Sequence, residues 1–278
     1  MSLLEKQKTF AAKLVSAPYV FWAALFIITP LFMVVYYAFT DSLGAFSLKN
    51  ILAISDYAGT ILLSVWLGLI ATVICLVIAY PIAFIIATSS APVQRTLVML
   101  TMLPMWMNFL IRTYSWMSIL EDTGFINMFL TKVLGIGPLH LINTRAAVVL
   151  GMVYNFLPYM ILPLYSVMTK MDYSLVEAAQ DLGGNKLIVF KSVVLPLSIP
   201  GIVSGITMVF VPSVSTFYIS QKLGGTSATL IGDVIEMQFQ TANNYHLGAS
   251  LSFILMILIF ISLAIMHKFS DDDGEVLI

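Results

Sequence analysis

The chain has 278 residues, of which 60% are hydrophobic and 10% charged, with a mean hydropathy of +0.98. A soluble domain carries about 25% charged residues, so this composition excludes one aqueous core and points to an integral membrane protein. A net charge of −1 argues against a nucleic-acid partner. The single cysteine, Cys75, lies in an apolar run with no metal-ligand spacing and reads as a small buried hydrophobe.

Residues 1–16 place Leu3, Leu4, Phe10, Ala11, Leu14 and Val15 at helical spacing, with Lys6 and Lys13 elsewhere. This predicts an amphipathic helix on the inner leaflet. A span needs about 20 mostly apolar residues, and six stretches qualify: 18–40, 61–87, 96–120, 146–168, 196–219 and 248–266. The first apolar run is too long for a cleavable signal.

Lys6, Lys8, Lys13, Arg95, Lys170, Lys186, Lys191 and Lys268 fall on one side of these spans. Lys49, Lys132, Arg145 and Lys222 fall on the other. The richer side is predicted to be cytoplasmic, with both termini inside. The expected organisation is a helix over 1–16, then one membrane domain over 17–278 with a cytoplasmic loop at 170–195.

That loop is polar and charged between two apolar runs. Helix formers around Glu177, Ala178, Ala179, Gln180 and Leu182 are interrupted by Gly183-Gly184. The spacing predicts two short helical arms meeting at the glycines, the second running over 186–195. Ala178 and Ala179 would let another surface approach closely, and Gly183 would allow the tight turn behind them. An amphipathic helix floating on the leaflet is the alternative.

The path through the membrane is sought among polar groups within the spans. Asn108, Arg112 and either Ser115 or Trp116 share one helix face, with Met105 beginning the stripe. Arg112 either faces a cavity or a partner, or snorkels outward. Asn155, beside Tyr154, is either interhelix glue or a cargo contact. Pro200, Pro212, Ser213, Ser215, Thr216 and Tyr218 either border a water-filled cavity or pack a kinked helix. The outer loop predicts an amphipathic helix from Leu230 at the outer surface, with Asp233 and Glu236 as solvated acids. Trp106, Tyr114, Trp116, Tyr154 and Tyr218 could offer cation–π contacts.

The order Glu177-Ala178-Ala179, three residues, Gly183, nine residues, Val193, one residue, Leu195-Pro196 resembles the coupling loop of ABC importer permeases. Only Val193 departs from that pattern, which has Ile there. The string from Pro104 to Trp116 resembles polyamine-importer permeases. So do Val211-Pro212-Ser213, Phe217 and Leu223-Gly224-Gly225. On these strings the chain resembles the B-type subunit of the spermidine/putrescine permease family. Related permeases for thiamine or ferric iron share parts of them.

The resemblance implies an all-α integral membrane fold of six transmembrane helices, the type I ABC importer permease (MetI-like) fold. It implies a non-catalytic subunit of a bacterial cytoplasmic-membrane importer working by alternating access. Glu177, Ala178, Ala179, Asp181, Gly183 and Gly184 would couple it to an ATPase. Asn108, Arg112, Tyr114, Trp116, Tyr154, Asn155, Ser213, Ser215 and Tyr218 would line the path.

The implied partners are a second homologous permease, two ATPase subunits, an extracytoplasmic solute-binding protein, lipid and a small polyamine. The chain contains no Gly-Lys dipeptide and so no phosphate-binding loop. ATP and Mg would sit on the partner ATPase, with no cofactor here. An ion-coupled secondary transporter is the rival class. It would need acids within the spans, and the six stretches contain none.

Overall fold

A computed structural model describes residues 18–271 of the chain; the helix expected over 1–16 lies outside the described residues. Among the described residues the structure is helical, and its one β-type pairing is the isolated bridge between Thr40 and Phe46. Among the described residues five helices are long and apolar enough to cross a membrane: α1 Pro18–Ala38, α2 Lys49–Thr88, α6 Arg145–Met168, α8 Lys186–Ser215 and α10, apolar over Tyr245–Met266. A sixth crossing exists only if α3, Ala91–Trp106, is joined to the stretch Phe109–Leu134. That stretch comprises α4, Phe109–Leu120, and α5, Phe125–Leu134. Two shorter helices complete the set, α7 Tyr173–Asp181 and α9 Ile231–Gln240.

The third expected span is corrected here. It is not one straight helix over 96–120. α3 and the stretch after it are bent by 88° across Met107 and Asn108. Two local causes lie in the sequence. Pro104 lacks the amide that would continue the ladder. Asn108 caps the new helix, its Oδ1 accepting from the amides of Leu110 at 2.8 Å and Ile111 at 3.4 Å. Met105 therefore does not begin a stripe that runs through Arg112. The helix of the fifth span also ends earlier than expected, at Ser215, because Thr216 is extended.

The chain divides into two compact units. The first comprises residues up to Asp56 together with Ile235–Met256. Its described part begins with α1, whose side chains are mostly exposed, as suits a helix bathed in lipid. The start of α10 packs on the end of α1. The His246 ring lies against the Tyr37 carbonyl at 3.2 Å, and the Ser250 hydroxyl donates to the Ala38 carbonyl at 3.1 Å. Phe253 meets Phe39 edge to face at 5.4 Å.

The second unit comprises Tyr57–Val234 and the residues from Ile257 onward. Its core is the mutual packing of α2, α6 and α8. Lipid offers no hydrophobic drive between helices, so close backbone approach must supply the packing. Gly201 and Gly205, one turn apart on α8, provide it. A Cβ at Gly201 would lie 3.2 Å from the Leu164 Cα, and one at Gly205 only 2.5 Å from the Met160 sulfur. α2 presents Ala71, Cys75, Ala79 and Ala83 as a buried small-residue stripe. Near its end Tyr80 and Ser198 share a hydrogen bond of 2.8 Å with α8.

Candidate coupling elbow and translocation path

The polar loop folds as two arms. α7 begins at Asp172, whose carboxylate accepts from the Ser174 amide at 3.0 Å. That amide bond, with a contribution from the Ser174 hydroxyl, holds the Asp172 carboxyl below its ordinary range. α7 ends in a left-handed cap at Gly183, φ +84°. The Gly183 amide donates to the Gln180 carbonyl at 2.8 Å and the Gly184 amide to the Ala179 carbonyl at 3.0 Å. Asn185 at once caps the next helix, its Oδ1 accepting from Leu187 at 3.1 Å and Ile188 at 2.9 Å. The amides of Gly183, Gly184, Leu187 and Ile188 at the corner are thereby engaged.

The second arm was expected to stop near Leu195. Instead it runs without a break into the fifth span, with a π-helical stretch at Phe190–Val194. α8 is thus one rod of 30 residues, about 45 Å long at 1.5 Å per residue. Within it lie the π-helical stretch and, farther on, Pro200 and Pro212.

Glu177, Ala178 and Asp181 are exposed, Ala179 and Gly184 half-buried, and Gly183 exposed. Around them the sequence reading missed an apolar rim. Leu182 is 90% exposed, Leu187 62% and Ile188 52%. Bare apolar side chains beside a polar helix are available for a contact. They share the segment with Leu175 and Val176, so their exposure had no separate signal in the sequence.

The candidate path residues divide into groups. Tyr114 and Tyr218 meet edge to face at 6.1 Å, with Phe109 6.0 Å from Tyr218. Trp116 meets Tyr154 at 5.3 Å. Arg112 is 7% exposed, its guanidinium carbon 6.0 Å from the Phe109 ring centre. Its Nε and Nη1 have no hydrogen-bond partner. Asn155, 1% exposed, donates to the Gly151 carbonyl at 2.9 Å and leaves its Oδ1 unpaired. Unpaired buried polar groups are costly, so these are positions where an acceptor or donor is wanted. Snorkelling does not describe Arg112, which is buried.

Asn108 serves the bend as a cap. Ser115 is exposed, and its hydroxyl donates to the Ile111 carbonyl at 2.9 Å. Ser213 is wholly buried, beside Gly68 of α2, and donates to the Val209 carbonyl at 2.7 Å. Ser215 likewise donates to Val211 at 3.0 Å. Both hydroxyls are engaged by their own helix, and Ser213 borders packed side chains instead of open space.

One outer-loop expectation is corrected. α9 forms from Ile231, with Leu230, Ile231 and Val234 on a buried apolar face and Met237 and Gln240 exposed. Asp233 is not a solvated acid. It is 8% exposed, accepting from the Ser220 hydroxyl at 2.9 Å and the Leu230 amide at 2.6 Å. It is the third residue of α9 reaching back to the residue before the helix, one half of a capping box. It also fastens the π-helical turn Ser220–Gly224. That turn carries Lys222, whose Nζ lies 5.4 Å from the Tyr114 ring centre and 5.8 Å from that of Tyr218.

Three kinds of similarity bear on this architecture. Residues 79–272 match the family described as "Binding-protein-dependent transport system inner membrane component". The spermidine/putrescine transport system permease protein PotB of Escherichia coli (strain K12) is 36% identical over 259 residues, covering 90% of this chain and 94% of the relative. The protein of the same name from Haemophilus influenzae is 39% identical over 214 residues, covering 76% and 74%. Among solved structures, a chain of a bacterial ABC transporter that imports the polysaccharide alginate superposes with a TM-score of 0.77 at 13% identity. It covers 96% of this chain and 97% of that one. A chain of the methionine ABC transporter MetNI superposes at 0.58 and 16% identity, covering 77% and 94%. The structural likenesses establish the fold. With the match over 79–272, the fold and the near-full-length relatives in agreement, the chain belongs to the family of inner-membrane components of binding-protein-dependent transport systems.

Proposed function

We propose that this chain is the polyamine-translocating permease subunit of an ATP-driven importer. It spans the bacterial cytoplasmic membrane with both termini inside. It pairs with a second, similar permease, two ATPase chains that carry ATP and Mg, and an extracytoplasmic solute-binding protein. The observation that carries the reading is identity along nearly the whole length to permeases named for spermidine and putrescine. The aromatic cluster supports it chemically, since the Lys222 ammonium already lies beside both rings, 5.4 Å from the centre of Tyr114 and 5.8 Å from that of Tyr218.

The elbow around Glu177–Gly184 receives the stroke of the ATPase. The α8 rod carries it to Ser215, two residues before the segment that bears Phe217 and Tyr218. Asn108, Arg112, Tyr114, Trp116, Tyr154, Asn155 and Tyr218 are the residues of this chain we assign to the path. Ser213 and Ser215 act there through helix geometry, their hydroxyls being engaged by backbone.

The test is purification from the native membrane with identification of the accompanying subunits, followed by uptake of labelled spermidine into vesicles. The reading expects a soluble ATPase, a second permease and ATP-dependent uptake. Uptake that survives without ATP but collapses with an ion gradient would replace it with the ion-coupled alternative.

A further inference from the structure

Lys222 lies on the π-helical turn Ser220–Gly224, and its ammonium nitrogen is within 6 Å of two ring centres at once, Tyr114 and Tyr218. That is the range in which a ring face attracts a cation. Phe109 backs the Tyr218 ring. The site is open, because Tyr114 is 44% exposed and Lys222 only half-buried. The turn that bears Lys222 is flanked by breaks. Thr216 is extended before it and Gly225, at φ +51°, follows it. The turn itself is held by Asp233 and by the burial of Leu223, so the Lys222 side chain is its movable part, and π-helical turns are often found at functional sites.

A lysine side chain is a primary ammonium on four methylene groups, which is chemically one end of an alkyl diamine. We propose that Tyr114, Tyr218 and Phe109 form a receptor for an alkylammonium group, and that Lys222 occupies it as a tethered competitor which an ammonium group of the cargo displaces. The proposal rests on the polyamine reading for the identity of the displacing cation. A site filled by its own chain for part of the time binds a ligand more weakly by that fraction. Return of Lys222 then helps expel the cargo, which suits a carrier that must release what it binds.

The test compares Lys222→Met, Lys222→Arg and Tyr218→Leu in the complete transporter. Lys222→Met should lower the KM for spermidine several-fold, and tetramethylammonium, which needs only ring faces, should inhibit it more strongly than the parent. Lys222→Arg should resemble the parent. Tyr218→Leu should abolish the gain from Lys222→Met. An unchanged KM and unchanged inhibition in Lys222→Met would overturn the proposal. So would a gain that persists in the Tyr218→Leu background, because Lys222 would then act only by long-range repulsion. Should the transporter carry no polyamine, the thermal shift produced by tetramethylammonium still decides. A larger shift for Lys222→Met than for the parent supports the receptor while the cargo reading fails, and equal shifts sink the receptor.

Discussion

The Gly184 amide donates to the Ala179 carbonyl at 3.0 Å, locking the arm that carries Glu177 to the arm that becomes the fifth span. The two glycines at this corner are constrained for different reasons. A Cβ on Gly183 would meet nothing within 4 Å, but φ +84° disfavours any other residue. A Cβ on Gly184 would lie 2.6 Å from the Ala179 carbonyl oxygen. Gly183→Leu should therefore cost about 1–2 kcal/mol locally and leave the spans folded. Gly184→Ala should break the amide–carbonyl contact itself. In both variants ATP hydrolysis by the reconstituted complex should continue while uptake per ATP falls, and simultaneous assay of the two quantities checks it.

Asp172 sets a pH limit on the same elbow. Its carboxyl is held below the ordinary value by the Ser174 amide and hydroxyl. The sign follows from linkage: the cap's contribution is present above the unfolded-state value of about 3.9 and fades as pH falls through the folded one. A spin label at Gln180 should report the same ordered α7 from neutral pH down to mildly acidic pH and loosen below it. Asp172→Ala should show the loosened spectrum already at neutral pH.

Asn155 separates transport from packing. Its Oδ1 is buried and unpaired, so Asn155→Leu removes an unsatisfied group worth about 1–3 kcal/mol. The thermal midpoint in detergent should not fall. A path role predicts a changed uptake rate, whereas an unchanged rate would assign Asn155 to helix packing.

Asp233 is structural in this account. Asp233→Ala strands the buried Leu230 amide, while the Ser220 hydroxyl keeps the Phe217 carbonyl at 2.8 Å, and should cost about 1–3 kcal/mol. The lowered thermal midpoint should be partly restored in Asp233→Asn, whose carbonyl can still accept one of the two bonds.

Much of the architecture was legible in the sequence because membrane burial demands long apolar runs. The elbow was legible because a glycine pair in a helix-forming segment has few other meanings. The bend at Asn108 was hidden inside an apolar run. Its signal was present, a proline at 104 followed four residues later by a capping asparagine, yet hydropathy is blind to both. The burial of Asp233 depends on Ser220, thirteen residues earlier, and is set by tertiary contact. The position of Lys222 over Tyr114 joins residues more than a hundred apart, through a π-helical turn with no sequence signature. Ser213 illustrates the converse: a hydroxyl in a span suggests water, but the Val209 carbonyl one turn earlier accepts its hydrogen bond.

The central claim is that the elbow receives force from a separate motor chain, and crosslinking from Ala178→Cys tests it most directly. Ala178 is exposed, and the native Cys75 is wholly buried, so the new thiol is the reactive one in this chain. In native membranes actively importing cargo, a short crosslinker with one thiol-reactive end and one photoreactive end should capture a nucleotide-hydrolysing subunit, with a yield that changes on adding ATP. Efficient labelling of Ala178→Cys in active assemblies without capture of any such subunit would contradict the account.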